Sequence, residues 1–177
     1  MTGRVENKKV LITGAAGGLG TAMAHMLARE GAKVVVTDVN LDGAQALADA
    51  INADHPGSAF AFAQDVTRED QWVSVIEAAV SAMGGLSVLV NNAGVGGPLA
   101  FVEQDTVENW QRQYEINLRS IMLGTKHAMA HLRDAAPASI INISSVAGLA
   151  AAPGMGAYNA TRSEERRGGK ECRSRWS

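Results

Sequence analysis

Thr13 to Gly20 reads Thr-Gly-Ala-Ala-Gly-Gly-Leu-Gly, directly after the apolar run Val10 to Ile12. An apolar strand, a glycine turn and a helix start form an anion cradle. Backbone N–H groups at a helix N-terminus point at a phosphate, and the helix dipole favours it. Glycine lets backbone approach a pyrophosphate that a Cβ would hold off. The competing reading is a glycine-rich loop that holds nothing. Asp38 stands twenty residues after Gly18 with Thr37 and Val39 beside it and no flanking base. A carboxylate there suits the two hydroxyls of an adenosine ribose and repels a 2′-phosphate, which selects NAD over NADP. Its competing role is a cap for the segment starting at Leu41.

The elements that must position these groups alternate. Strands are predicted at Lys8–Thr13, Val34–Thr37, Ala59–Gln64, Leu86–Val90 and Ser139–Ile143. Between them lie helical stretches: one from about Thr21 to Gly31, one over Leu41–Asp54, and one with an apolar face at Trp72, Val75, Ile76, Ala79, Val80 and Met83. A long helix over Thr106–Arg133 carries an expected buried stripe of Trp110, Tyr114, Leu118, Ile121, Thr125, Ala128 and Leu132. Strand–helix alternation with right-handed crossovers gives a doubly wound parallel α/β sheet. Ligands bind such sheets at the carboxyl ends of the strands. The unusual residues cluster there: the glycine turn, Asp38, Asp65, Asn91 to Gly94 and Ser144-Ser145.

Asn117 falls within the stripe of the long helix. A buried amide needs partners. It either pins a water or backbone group near an active site, or it is a satisfied structural polar group. His127 and His131 are four apart on the same helix, without a third ligand placed beside them, and read as surface or rim residues; no metal site is expected.

Bulk properties narrow the class. The chain has 177 residues, a net charge of −2 and 46% hydrophobic residues, as expected of one globular domain. Nothing argues for nucleic acid or an anionic membrane. No apolar run reaches bilayer length, no signal peptide is read before the glycine turn, and the lone Cys172 suits a reducing compartment, so a cytoplasmic protein is expected. Composition shifts at Arg162. From there to Ser177 the chain holds six Lys or Arg and three Glu, with no helical or strand period.

These motifs together resemble the short-chain dehydrogenase/reductase family from about Lys8 to Thr161. Thr13-Gly14-x-x-x-Gly18-x-Gly20 is similar to the family's cofactor loop, and Asn91-Asn92-Ala93-Gly94 to its second motif. Ser145 precedes Tyr158 by thirteen residues, as in the family's catalytic pair, and Asn117 falls where the family has an asparagine. The wording is most similar to NAD-dependent secondary-alcohol, cyclic-alcohol and hydroxysteroid dehydrogenases.

The resemblance implies a Rossmann fold, incomplete at its C-terminal end. It also implies a cofactor set of Thr13, Gly14, Gly18, Leu19, Gly20, Asp38, Asp65, Val66, Asn92, Ala93, Gly94 and Tyr158. Tyr158 would exchange a proton with the substrate oxygen during hydride transfer, Ser145 would hydrogen-bond that oxygen, and Asn117 would hold a relay water. A phenol titrates near pH 10 and needs a nearby cation to act as a base at neutral pH. The family supplies it as Lys four residues after the Tyr, where this chain has Arg162; planar Arg does not substitute simply for Lys.

The expected layout is a partial catalytic domain, residues 1–161, and a charged tail, 162–177, of non-native character and without legible helix. The expected substrate is a small alcohol or ketone, and the intact form is expected to be a homo-oligomer. The alternative is an inactive dinucleotide-binding fragment that lacks the catalytic Lys and the substrate-covering region.

Overall fold

The computed structural model describes residues 3–171, with side chains through Ser163. Five parallel-type strands form one sheet in the order β3-β2-β1-β4-β5: β1 Lys9–Thr13, β2 Lys33–Asp38, β3 Ala59–Ala63, β4 Val88–Asn91 and β5 Ser139–Asn142. Val10, Leu11 and Ile12 lie opposite Val34, Val35 and Val36 on one side and Val88, Leu89 and Val90 on the other. All of these except Val88 are buried, because helices cover both faces of a sheet built by crossovers. The doubly wound sheet expected from the alternation is the one found.

Helices α1 Gly18–Arg29, α2 Leu41–Asp54 and α3 Glu69–Met83 connect the first four strands. Helix α1 starts three residues before Thr21, so Gly18 and Leu19 belong to its first turn. Asn40, not Asp38, caps α2, its side chain accepting from Gly43 N at 3.1 Å. Trp72, Val75, Ile76, Ala79 and Met83 bury the face of α3, and Gly84 ends it in the left-handed conformation.

The expected long helix is divided. It comprises α4 Val107–Tyr114, a π-helical turn Glu115–Arg119 and α5 Ser120–Asp134. Its buried stripe differs from the expectation. Gln113, Asn117, Ser120, Leu123, Ala128 and Leu132 are buried, whereas Trp110 and Tyr114 are exposed. The π turn adds a residue to the helical period and shifts the inward face by one position.

The chain after Asn142 forms a 3-10 turn, Val146–Gly148, and helix α6 Gly156–Glu171. Helix thus continues through Arg162, where none was legible; the rest of the charged tail, 172–177, lies outside the described residues. The chain divides into two compact units. One runs through Ala93 and takes in Leu123–Ile141; the other takes in Gly94–Met122 and the chain from Asn142 on. Among the described residues no helix is long and apolar enough to cross a membrane.

Candidate active site

In the first unit the glycine turn leaves β1 and enters α1. Gly14 has φ +61°, and a Cβ there would meet Ala93 Cα at 2.7 Å, so only glycine fits beside the end of β4. Thr13 Oγ1 accepts the backbone N–H groups of Asn92 and Ala93, each at 3.1 Å. Asn92 Nδ2 in turn donates to the carbonyls of Thr13, 2.8 Å, and Gly14, 2.9 Å. These four bonds fasten the loop to the carboxyl end of β4. They give Thr13, Gly14, Asn92 and Ala93 a holding role in its shape.

The helix start is open. Gly17 precedes α1 without a side-chain cap, so the first-turn N–H groups of Gly18, Leu19 and Gly20 lack one of their usual acceptors. Gly18 has φ +54° and open space where a Cβ would lie, and Leu19 is exposed. Gly20 has none to spare: its Cβ would meet Ala15 Cα and Gly14 O, both at 2.7 Å. Donors without a side-chain cap at a helix N-terminus fit a pyrophosphate.

Asp38 ends β2 beside this loop. Its Oδ2 accepts Ala16 N at 3.0 Å and its Oδ1 accepts Asn40 N at 3.0 Å. One carboxylate therefore braces the glycine turn and the entry to α2, a role the sequence does not display because Ala16 carries no signal. Each oxygen keeps a lone pair for a further donor. Asp65 follows β3. Its Oδ1 accepts Thr67 N at 2.9 Å and Thr67 Oγ1 at 2.7 Å, shaping the turn into α3. Val66 is buried, and its carbonyl accepts Trp72 Nε1 at 2.8 Å.

Farther along this unit, Glu69 Oε1 takes Lys126 Nζ at 2.7 Å and lies 2.9 Å from His127 Nε2. Hydrogen bonds from these two partners, Lys126 first, hold the Glu69 carboxyl below its ordinary range. His127 is thus occupied by a carboxylate rather than grouped with His131.

The second unit carries the other named residues. Asn117 sits in the π turn and is fully buried. Its Oδ1 accepts Val95 N at 2.8 Å, and its Nδ2 donates to Val95 O at 2.9 Å and Thr161 Oγ1 at 3.2 Å. The amide clamps the Val95 backbone and the Thr161 hydroxyl, an arrangement that both readings open from sequence share. Ser145 opens the 3-10 turn, its Oγ accepting Ala147 N at 3.2 Å.

The 3-10 turn rests on α6, where Ser144 Oγ donates to the Arg162 carbonyl at 3.1 Å. Tyr158 lies in the first turn of α6, half-buried. Arg162, one turn on, is only 5% exposed. Its Nη1 donates to Ile143 O at 3.0 Å, and its guanidinium carbon stands 5.4 Å from the Tyr158 ring centroid. A Cβ on Gly94 would run into Arg162 Nη2, so the last residue of the Asn-Asn-Ala-Gly motif is a seat for the guanidinium.

A family model described as short chain dehydrogenase matches residues 8–163. The cyclopentanol dehydrogenase of Comamonas sp. (strain NCIMB 9872) is 40% identical over 171 residues, spanning 96% of this chain and 67% of that protein. A 2,5-dichloro-2,5-cyclohexadiene-1,4-diol dehydrogenase, LinX, of Sphingobium indicum is 41% identical, spanning 94% of this chain and 66% of its own length. Among solved structures, a 3-ketoacyl-(acyl-carrier-protein) reductase from Brucella melitensis complexed with NADH superposes with a TM-score of 0.85. It is 34% identical, with 90% of this chain and 66% of that one covered. The chain therefore spans about two thirds of the length of the relatives it matches. The glycine turn fastened to β4, the parallel sheet around it and a match that runs from β1 into α6 agree with one another: the chain belongs to the short chain dehydrogenase family.

Proposed function

We propose that this chain is the cofactor-holding and tyrosine-bearing part of an NAD-dependent oxidoreductase that interconverts a secondary alcohol and a ketone. The observation that carries the choice of cofactor is Asp38, a carboxylate at the end of β2 bonded to the glycine turn itself. It accepts ribose hydroxyls and repels a 2′-phosphate. The solved relative that holds NADH agrees with that choice. Gly18, Leu19 and Gly20 would receive the pyrophosphate, with Asp65, Val66, Asn92, Ala93 and Gly94 lining the remainder. When bound, the nicotinamide supplies or takes up hydride at the substrate carbon.

Tyr158 gives a proton to, or takes one from, the substrate oxygen. Ser145 Oγ accepts Ala147 N–H, so its own hydrogen is left to donate to that same oxygen. Both amide hydrogens of Asn117 are spent on Val95 and Thr161, which leaves one Oδ1 lone pair as its means of holding a relay water. The substrate is a small alcohol or ketone, for which cyclopentanol, in the name of one relative, is a fair size guide. We place the protein in the cytoplasm and expect the intact form to pair through the exposed apolar face at Val107, Trp110 and Tyr114.

Arg162 favours a second reading, a dinucleotide-binding fragment without turnover. Its guanidinium is committed to the Ile143 carbonyl and the Tyr158 ring face. Calorimetric titration with NAD and NADH formation from cyclohexanol separate the two. The comparison uses this chain and a full-length form carrying Arg162→Lys. NAD binding with turnover in this chain supports the enzyme. Binding without turnover in this chain, restored in the other, supports the fragment. Absence of NAD binding by both sinks both readings.

A further inference from the structure

We propose that Ser144 is a positioning residue: its hydroxyl, bonded to the main-chain carbonyl of Arg162, fixes Ser145 relative to Tyr158. On the alcohol–ketone reading above, on which this role in the reaction rests, Ser145 and Tyr158 meet the same substrate oxygen. Two groups that share one reacting atom must be held to within about 0.5 Å of the productive geometry.

The covalent route between the two residues is poorly suited to that task. After the 3-10 turn it passes through Leu149, Ala150, Ala151 and Pro153, all exposed and outside any helix or strand. Such segments open more readily than packed elements. A shorter route crosses space. Ser144 Oγ donates to Arg162 O at 3.1 Å. Ser145 is the next residue after Ser144, and Tyr158 stands one helical turn before Arg162 on α6. The bond thus joins the neighbours of both groups. A carbonyl has two lone pairs, so Arg162 O can take a hydroxyl beside its helical bond.

Two further features keep the contact in register. Arg162 Nη1 donates to Ile143 O at 3.0 Å, so Ile143 and Ser144 are bound in succession by the side chain and the main chain of one residue. At the other end of the turn, a Cβ on Gly148 would run into the same Arg162 carbonyl, so the turn lies flush on α6. Ser145 sits between these two points. Its Oγ accepts Ala147 N at 3.2 Å and its carbonyl accepts Gly148 N at 3.0 Å. These bonds fix Ser145 on the turn, and Ser144 fixes the turn on the helix.

A serine of local role would spend its hydroxyl on the turn it precedes. Ser144 spends it on a residue eighteen positions away. Ser144 is itself exposed, so replacing it leaves no buried cavity that would unfold the unit.

The test reads the turn and the chemistry in this chain. Backbone amide exchange by NMR reports the turn at Ala147 and Gly148, and NADH formation from cyclohexanol reports the reaction. Ser144→Ala should speed exchange at both amides by about threefold to tenfold, the equivalent of one hydrogen bond, and leave Leu11 and Val35 in the sheet within about twofold. It should lower kcat by about tenfold or more and leave KM for NAD within about twofold. Ser144→Thr keeps the hydroxyl and should restore both readouts. In a Ser145→Ala background, Ser144→Ala should cost no further rate, because its effect passes through Ser145. Unchanged exchange at Ala147 and Gly148, a loss that Ser144→Thr does not repair, or an equal cost in rate with and without Ser145 would overturn the proposal. Absence of turnover in the unsubstituted chain would strike the alcohol–ketone reading instead. Exchange at the turn then decides: a rise in Ser144→Ala that Ser144→Thr repairs keeps Ser144 as the anchor of Ser145, and no rise removes it.

Discussion

Arg162 holds its guanidinium over the ring of Tyr158, one turn back along α6, with 5.4 Å from guanidinium carbon to ring centroid. The same group donates to Ile143 O at 3.0 Å and fills the place of a Cβ on Gly94. A flat cation that stacks on one side and bonds at its edge is a use that Lys cannot copy. Arg162→Met should therefore cost about 1–3 kcal/mol, the range for leaving a buried carbonyl unpaired, and urea denaturation reads it directly. Arg162→Lys should fall between the two. A Met variant as stable as the parent would show that the guanidinium does not hold this unit together.

Asp38 serves two masters, the loop and the proposed ribose site. Asp38→Ala removes both functions, freeing Ala16 N and Asn40 N. Asp38→Asn keeps an acceptor oxygen but drops the charge. Both variants should weaken NAD, and the preference for NAD over NADP should shrink by about tenfold or more, the equivalent of one lost charge-assisted hydrogen bond. Paired calorimetric titrations with the two dinucleotides measure it. An unchanged preference would contradict the ribose assignment.

The sheet and the cofactor loop were readable because apolar runs, glycines and Asp38 follow local rules of spacing. The inner face of the long helix was not. Its buried positions are Gln113, Asn117 and Ser120, which hydrophobic periodicity does not register, and the π turn at Glu115–Arg119 shifts the period just there. Trp110 and Tyr114 then point outward although their types suggest core. Arg162 escaped for the same kind of reason. Charge argues for solvent, and only the tertiary seat at Gly94 and the Ile143 carbonyl makes its burial tolerable. The bracing of Ala16 by Asp38 is a backbone bond, and no residue type announces it.

Tyr158→Phe tests the chemistry with the smallest change available. If the phenol moves the proton, the full-length protein should lose about a hundredfold or more in turnover, the low end for a general acid–base group. NAD binding, read by calorimetry, should stay within about twofold, a shift well below the tenfold step of 1.4 kcal/mol. A near-normal rate would remove Tyr158 from the mechanism.

Glu69 ties α3 to α5 through Lys126 and His127. Its carboxyl is depressed in the folded state by those hydrogen bonds, Lys126 first. A depressed acid contributes stability that is present above its unfolded value, near 4.3, and is lost as pH falls through the folded value. The tie should therefore hold at neutral pH and fail only in acid. Following the Glu69 carboxyl carbon by NMR should give a midpoint below the ordinary carboxylate range. Glu69→Gln should flatten that part of the acid dependence of stability. An ordinary midpoint would show the contact does not persist in solution.

The fifth strand makes the last prediction. β5 lies at the edge of the sheet, and Ile141 on it is 45% exposed. An edge strand offers unpaired backbone groups, and an exposed isoleucine adds an apolar surface that a second chain can cover. The 177-residue chain should therefore self-associate as its concentration rises, which light scattering detects. Ile141→Lys places a charge on that edge, and at a half-exposed position it should change stability by only about 0.5 kcal/mol. It should lower the scattering markedly. Scattering that rises equally in both proteins would mean that the chains stick through another surface, with the exposed Trp110 and Tyr114 on α4 the next to change.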